Sequence, residues 1–69
     1  MTQFELHELH VGRLAVPEDA NDLLSLVHRQ PGVVNVWMTG ATLSVECQPG
    51  AVDRDALVER LSQDGYRVA

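Results

Sequence analysis

Residues 31–49 read PGVVNVWMTGATLSVECQP and carry the clearest structural pattern in the chain. After Thr39-Gly40-Ala41 apolar side chains alternate with polar ones, and before it Val36 and Met38 alternate with Asn35 and Trp37. Such alternation is typical of strands that bury one face, and the three central residues are short enough for a hairpin turn. The stretch therefore predicts two antiparallel strands, over Val33–Met38 and Thr42–Cys47.

Two helical segments flank this hairpin. The first is predicted from about Pro17 to Arg29, because proline suits a first helical position. The second is predicted from Asp53 to about Gln63, with Asp53 as its N-cap and Gly65 just beyond its end. Apolar residues at helical spacing predict the buried face of each helix. These residues are Ala20, Leu23, Leu24 and Val27 in the first helix, and Ala56, Leu57 and Leu61 in the second.

Two further strand-like segments lie near the ends of the chain, over Phe4–Val11 and Tyr66–Val68. In the first of them, the apolar residues change parity between Leu6 and Leu9. Either a bulge near His7 or a frayed start accounts for this change, or both faces of the strand are partly covered. We favour the bulge or the frayed start.

The resulting order of elements, β-α-β-β-α-β, predicts an α+β fold of the ferredoxin-like type. Two helices on one face of a four-stranded antiparallel sheet bury every apolar stripe. Right-handed crossovers then give the strand order 4-1-3-2. A chain of 69 residues has room for one such domain, which we expect to span residues 1–69.

Charge and composition exclude several classes of partner. The net charge is −5, with ten acidic residues against five arginines and no lysine, so nucleic acids and anionic membranes are not expected partners. No apolar stretch is long enough to span a membrane, and acidic residues near the start replace the apolar core of a signal peptide. A cytoplasmic location is therefore expected. One cysteine, Cys47, excludes an intrachain disulfide or a cage of several thiolates.

Three segments, taken together in this order, resemble the heavy-metal-associated domains of copper chaperones and of the N-termini of metal-pumping ATPases. The family enters its second strand with PGV-x-x-V-x-V, leaves its third with V-x-Y-D-P, and closes with a helix and a GY loop. The matching residues here are Pro31-Gly32-Val33 with Val36 and Met38, then Val45–Pro49, then Leu57, Leu61 and Gly65-Tyr66. The resemblance implies a ferredoxin-like domain that binds or transports heavy metals.

The metal-binding loop of that family, M-x-C-x-x-C, falls on residues 14–19 of this chain. Leu14 stands in place of the methionine, and Val16 and Asp19 stand in place of the two cysteines. Valine offers no ligand atom, and the hard oxygen of aspartate suits Cu(I) poorly. The usual Cu(I) site is therefore absent from this loop, and we expect metal binding to be weak, altered or lost.

Two other groups offer metal ligands. Glu18, Asp19 and Asp22 present oxygens to a hard divalent cation, although acidic residues at a helix start are explained as well by the helix dipole. His7 and Cys47 both have the helix-facing parity at neighbouring strand ends, and a Cys–His pair supplies two of the ligands of many zinc sites. The alternative is that Cys47 is an inert buried cysteine. Cys47 should lie about 15–20 Å from Asp19, so it cannot complete the loop. No cofactor is certain, and a weakly bound divalent ion is the one to test.

The remaining candidate is Trp37, which should face away from the helices on the open surface of the sheet. In that position Trp37 should either bind a protein partner or a second copy of the chain, or simply cover neighbouring strand residues. No nucleophile belongs to a recognisable catalytic constellation, so the chain is not expected to be an enzyme. Two functions stay open: a metal-trafficking or metal-sensing domain with an altered site, and an interaction or regulatory module on the same scaffold.

Overall fold

The computed structural model describes residues 3–12, 14 and 18–69. In chain order its elements are β1 (Glu5–His10), α1 (Glu18–His28), β2 (Val33–Thr39), β3 (Thr42–Cys47) and α2 (Arg54–Gln63). Each element lies within about two residues of its predicted bounds. The predicted helix start at Pro17 lies outside the described residues. Neither of the described helices is long and apolar enough to cross a membrane.

The sheet is antiparallel, with β3 in the centre and the order β1-β3-β2. Thr39 pairs with Thr42, which leaves Gly40 and Ala41 as a two-residue turn. Gly40 has a φ of 59°. Two-residue hairpin turns require a positive φ at their first residue, and glycine adopts it without steric cost. The hairpin predicted from residues 31–49 is therefore present.

The prediction of a four-stranded sheet in order 4-1-3-2 is wrong, since the described residues form three strands. The segment expected as the fourth strand meets the end of β1 at a single bridge, between Val11 and Val68. His10 and Ala69 exchange two backbone hydrogen bonds of 2.9 Å, and the Gly12 N–H donates to the Arg67 carbonyl at 2.6 Å. The contact is too short to build a ladder, because β1 has already ended at His10.

The prediction of a bulge, as one explanation of the parity change in the first strand, is wrong. β1 pairs with β3 one residue to one from Glu5↔Cys47 to His10↔Thr42, so no bulge lies near His7. Leu6 instead lies on the open face and is 52% exposed. The register shift lies in β2, between Val33 and Asn35.

The core lies between the sheet and the two helices. Leu23 and Val27 of α1 and Leu57 and Leu61 of α2 are buried, as their spacing predicts. They pack in one cluster with inward residues of the sheet, which are Leu9, Val11, Leu43 and Val45. Ala56 was predicted to face inward but is exposed, because it lies one position off the stripe that Leu57 and Leu61 define.

The start of α2 is held in two ways. The Asp53 carboxylate accepts hydrogen bonds from the N–H groups of Asp55 and Ala56, as an N-cap should. The Arg54 guanidinium donates to the Glu8 carbonyl at 2.7 Å, which ties the helix start to β1. The second contact holds the start of α2 against the first strand.

Candidate metal site

Of the segment that resembles the family's metal loop, residues 14, 18 and 19 lie within the described part of the structure. Leu14 is half-buried and packs against the core, and Asp19 lies in the first turn of α1. Val16 lies outside the described residues, so its predicted place in the loop stays a prediction. With Cys47 as the only cysteine in the chain, no thiolate pair is available to this loop.

Acidic residues surround Tyr66. Burial raises the pKa of the Tyr66 hydroxyl above its ordinary value of 10.0, and the negative charges of Asp22, Asp19 and Asp64 raise it further. Asp22 is exposed, and the side chain of Glu18 lies outside the described part of the structure. The cation cluster of Glu18, Asp19 and Asp22 therefore stays a prediction.

At one end of the sheet, the start of β1 meets the end of β3. Glu5 pairs directly with Cys47, and His7 follows two residues later with its side chain on the same, helix-facing side. One ligand atom from each of Glu5, His7 and Cys47 lies within 4.8 Å of the other two. Among the side chains that the structure describes, this is the one group of three or more potential metal ligands at such distances.

The three side chains are held from different directions. The Gly50 N–H donates to Glu5 Oε1 at 2.7 Å, which leaves the second carboxylate oxygen, Oε2, 3.3 Å from His7 Nε2. Cys47 is fully buried beneath them, whereas the side chains of His7 and Glu5 are 20% and 42% exposed. The cluster thus has a closed side at the sulfur and an open side toward solvent.

Burial raises the pKa of the Cys47 thiol above its ordinary value of 9.0. The negative charge of Glu5 raises it further, and a hydrogen bond from the backbone of Val52 opposes both effects. Cys47 is consequently a neutral thiol at pH 7 in the absence of a cation. A bound metal ion reverses this preference, because a coordinating thiol is deprotonated.

His7 Nε2 is the unusual atom of the cluster. It is fully buried, and within the described structure it has no hydrogen-bond partner. Its 3.3 Å approach to Glu5 Oε2 is within ion-pair range but does not have hydrogen-bond geometry. Buried polar atoms are nearly always paired, so an unpaired imidazole nitrogen that faces a carboxylate and a thiol requires an explanation.

The sequence placed His7 near Cys47, and the structure brings them together with Glu5, which sequence reasoning missed. The sequence signal was parity alone, since Glu5 has the parity of His7; its position opposite Cys47 is seen in the register of the sheet. The other histidines do not join: His10 is exposed on the opposite face of β1, and His28 is exposed in the last turn of α1.

Trp37 lies on the open face of the sheet, as its parity predicts. It pairs with Ser44 across the β2–β3 ladder and is 37% exposed. Ser44 is itself only 6% exposed although it lies on the same open face. Trp37 therefore lies beside the buried Ser44, and part of its own side chain is exposed to solvent. Its role in partner binding stays a prediction.

The fold is shared with copper-binding domains of known structure. A domain of a potential copper-translocating P-type ATPase from Bacillus subtilis, solved in the Cu(I)-loaded state, superposes with a TM-score of 0.83 at 22% identity, covering 96% of this chain and 85% of that one. A Bacillus anthracis protein assigned as copper-ion-binding gives 0.84 at 22% identity over the full length of both chains. The copper-binding domain of HMA7, a P-type ATPase, gives 0.80 at 14% identity, covering 93% of this chain and 89% of that one.

At these identities the likeness establishes the fold, and it confirms the resemblance to heavy-metal-associated domains at that level. The three structures are described as copper-binding and not as catalytic domains. No protein-family model matches the sequence, and no curated protein matches it.

Proposed function

We propose that this chain is a non-catalytic metal-binding domain on the heavy-metal-associated scaffold, with its metal site altered from the two-cysteine loop. The observation that carries the proposal is the convergence of Glu5, His7 and Cys47 within 4.8 Å on a fold that copper-binding domains share. In the sequence, Leu14, Val16 and Asp19 stand where the family's loop has its methionine and its two thiolates. Soft Cu(I) binding at that loop is accordingly weak or lost.

We infer a role in handling heavy-metal ions, as in trafficking or sensing. A domain that releases its ion to a partner needs ligands that are accessible from one side, and the open side of the cluster at Glu5 meets this requirement. Ligand sets that mix sulfur, nitrogen and oxygen bind less soft ions than two thiolates do. The altered ligands thus change which metal is carried while the scaffold is kept.

A titration of the reduced protein with Cu(I), Zn²⁺ and Ca²⁺, followed by backbone amide shifts, tests the proposal. We expect saturable binding of at least one ion, with the largest shifts away from residues 14–19. Sub-micromolar Cu(I) binding that shifts residues 14–19 contradicts the altered site. If none of the three ions changes the backbone amide shifts, metal binding is contradicted altogether.

A second candidate function is an interaction or regulatory module that acts through the open sheet face or by dimerisation. The observation that favours it is the exposure of Leu6 and Trp37, at 52% and 37%, on that face. Exposed aromatic anchors are common at protein interfaces. Concentration-dependent amide shifts around Trp37, in a protein that binds no metal, are the result that this function predicts.

A further inference from the structure

We infer that Glu5, His7 and Cys47 form a zinc site with three protein ligands and an open fourth position. This inference rests on the proposed function and deepens it, because it names the ion and the atoms that bind it.

The spacing of the ligand atoms fits a tetrahedral zinc ion. Zinc bonds to nitrogen and oxygen are about 2.0–2.2 Å long, so two such ligands at a tetrahedral angle lie about 3.3–3.6 Å apart. His7 Nε2 and Glu5 Oε2 are 3.3 Å apart. With a zinc–sulfur bond of about 2.3 Å, the sulfur should lie about 3.6 Å from each of them. Each of the three residues has a ligand atom within 4.8 Å of a ligand atom of the other two, so a modest adjustment of the side chains brings the three to bonding positions around one ion.

The chemistry of the three ligands favours zinc over Cu(I). Zinc accepts thiolate, imidazole and carboxylate together, whereas Cu(I) prefers sulfur and gains little from a carboxylate. The carboxylate is also oriented, because its other oxygen accepts the Gly50 N–H at 2.7 Å. Such outer contacts are what position the ligands of zinc sites.

The unpaired nitrogen supplies an independent observation. His7 Nε2 is fully buried without a hydrogen-bond partner among the described residues, and a metal bond satisfies it. The surrounding charges also suit a cation, since Glu5 lies beside the thiol and the chain carries a net charge of −5. The solvent-facing side of the cluster leaves the fourth position to water or to a ligand from a partner.

Zinc affinity of single variants tests the site. We expect His7→Ala and Cys47→Ala each to weaken Zn²⁺ binding by about 100-fold or more, and Glu5→Gln to weaken it by about 10-fold, measured by competition with a chromophoric chelator. Glu5→Gln retains a carbonyl oxygen for the Gly50 N–H. The matched controls are His10→Ala and Glu8→Gln, which alter the same residue types on the opposite face of β1 and should leave the affinity unchanged.

A second measurement needs no variant and therefore does not depend on how each variant folds. Co²⁺ bound to the unmodified protein should show the intense thiolate-to-metal charge-transfer absorption of a cysteine ligand, and Zn²⁺ should displace it. Absence of this band, or unchanged zinc affinity in all three variants, overturns the site. If the protein still binds a metal in that case, the proposed function survives without this site; if it binds none, both fail.

Discussion

The buried thiol of Cys47 makes a sharp prediction for the metal-free protein: a water-soluble disulfide reagent should modify it very slowly. Cys47 is fully buried in the central strand, and its neighbours on both sides, Glu5 and Val33, are paired to it. The reagent reaches the sulfur only after the sheet opens, so the opening free energy sets the rate.

The magnitude follows from the size of the domain and from the pKa of the thiol. For 69 residues the free energy of unfolding is about 3.5–10 kcal/mol, and the lower figure alone slows modification about 300-fold. Reaction of the closed state adds little, because burial and the charge of Glu5 raise the pKa of Cys47 above 9.0 and keep the thiol neutral at pH 7. Where exposure of the sulfur requires global unfolding, modification in buffer should be about 300-fold slower than in denaturant, or slower still.

Stopped-flow absorbance with a chromogenic disulfide reagent, in the presence of a chelator, measures both rates. The control is the double variant Cys47→Ala/Gln63→Cys, which moves the thiol to an exposed position at the end of α2 and should react at the rate of an unstructured peptide. A wild-type rate within about 10-fold of that control contradicts the burial of Cys47, because it requires an accessible thiolate.

Three further predictions concern stability, measured by urea denaturation. Leu61→Ala should lower the free energy of unfolding by about 2–5 kcal/mol, because Leu61 is fully buried. The control Gln63→Ala, at an exposed position, should change it by less than about 0.5 kcal/mol, and similar losses for the two variants contradict the assigned core. Asp53→Ala should cost about 0.5–2 kcal/mol by removing the N-cap of α2, while Asp53→Asn keeps the acceptor and should restore most of it. Folding raises the pKa of Cys47 and Tyr66, so the folded state holds their protons more tightly than the unfolded state, and stability should fall as pH rises above about 9. Cys47→Ala should reduce this alkaline loss, as should Tyr66→Phe near pH 10 and above; a loss unchanged by both contradicts the raised pKa values.

The elements that depend on the local periodicity of apolar residues could be predicted from the sequence. Alternation on both sides of Gly40 determines the hairpin, and the spacing of Leu57 and Leu61 determines the inner face of α2. The fourth strand could not be predicted reliably. Whether Tyr66–Val68 forms a ladder or a single bridge depends on where β1 ends, which is a tertiary property.

The candidate site shows the same division. Parity placed His7 and Cys47 on one face, but Glu5 was missed because a charged residue at the first position of a strand reads as solvated. Only the register of β1 on β3, together with the Gly50 N–H on its carboxylate, turns Glu5 toward the pair. The unpaired state of His7 Nε2 likewise has no sequence signal, since it depends on what surrounds the ring.

We infer that metal is bound by Glu5, His7 and Cys47 and not by residues 14–19. X-ray absorption at the zinc edge of the loaded protein distinguishes these two sites, because only the first contains a sulfur ligand. We expect one sulfur at about 2.3 Å together with two or three nitrogen or oxygen ligands at about 2.0–2.2 Å. A shell of oxygen and nitrogen alone, without sulfur, would contradict it.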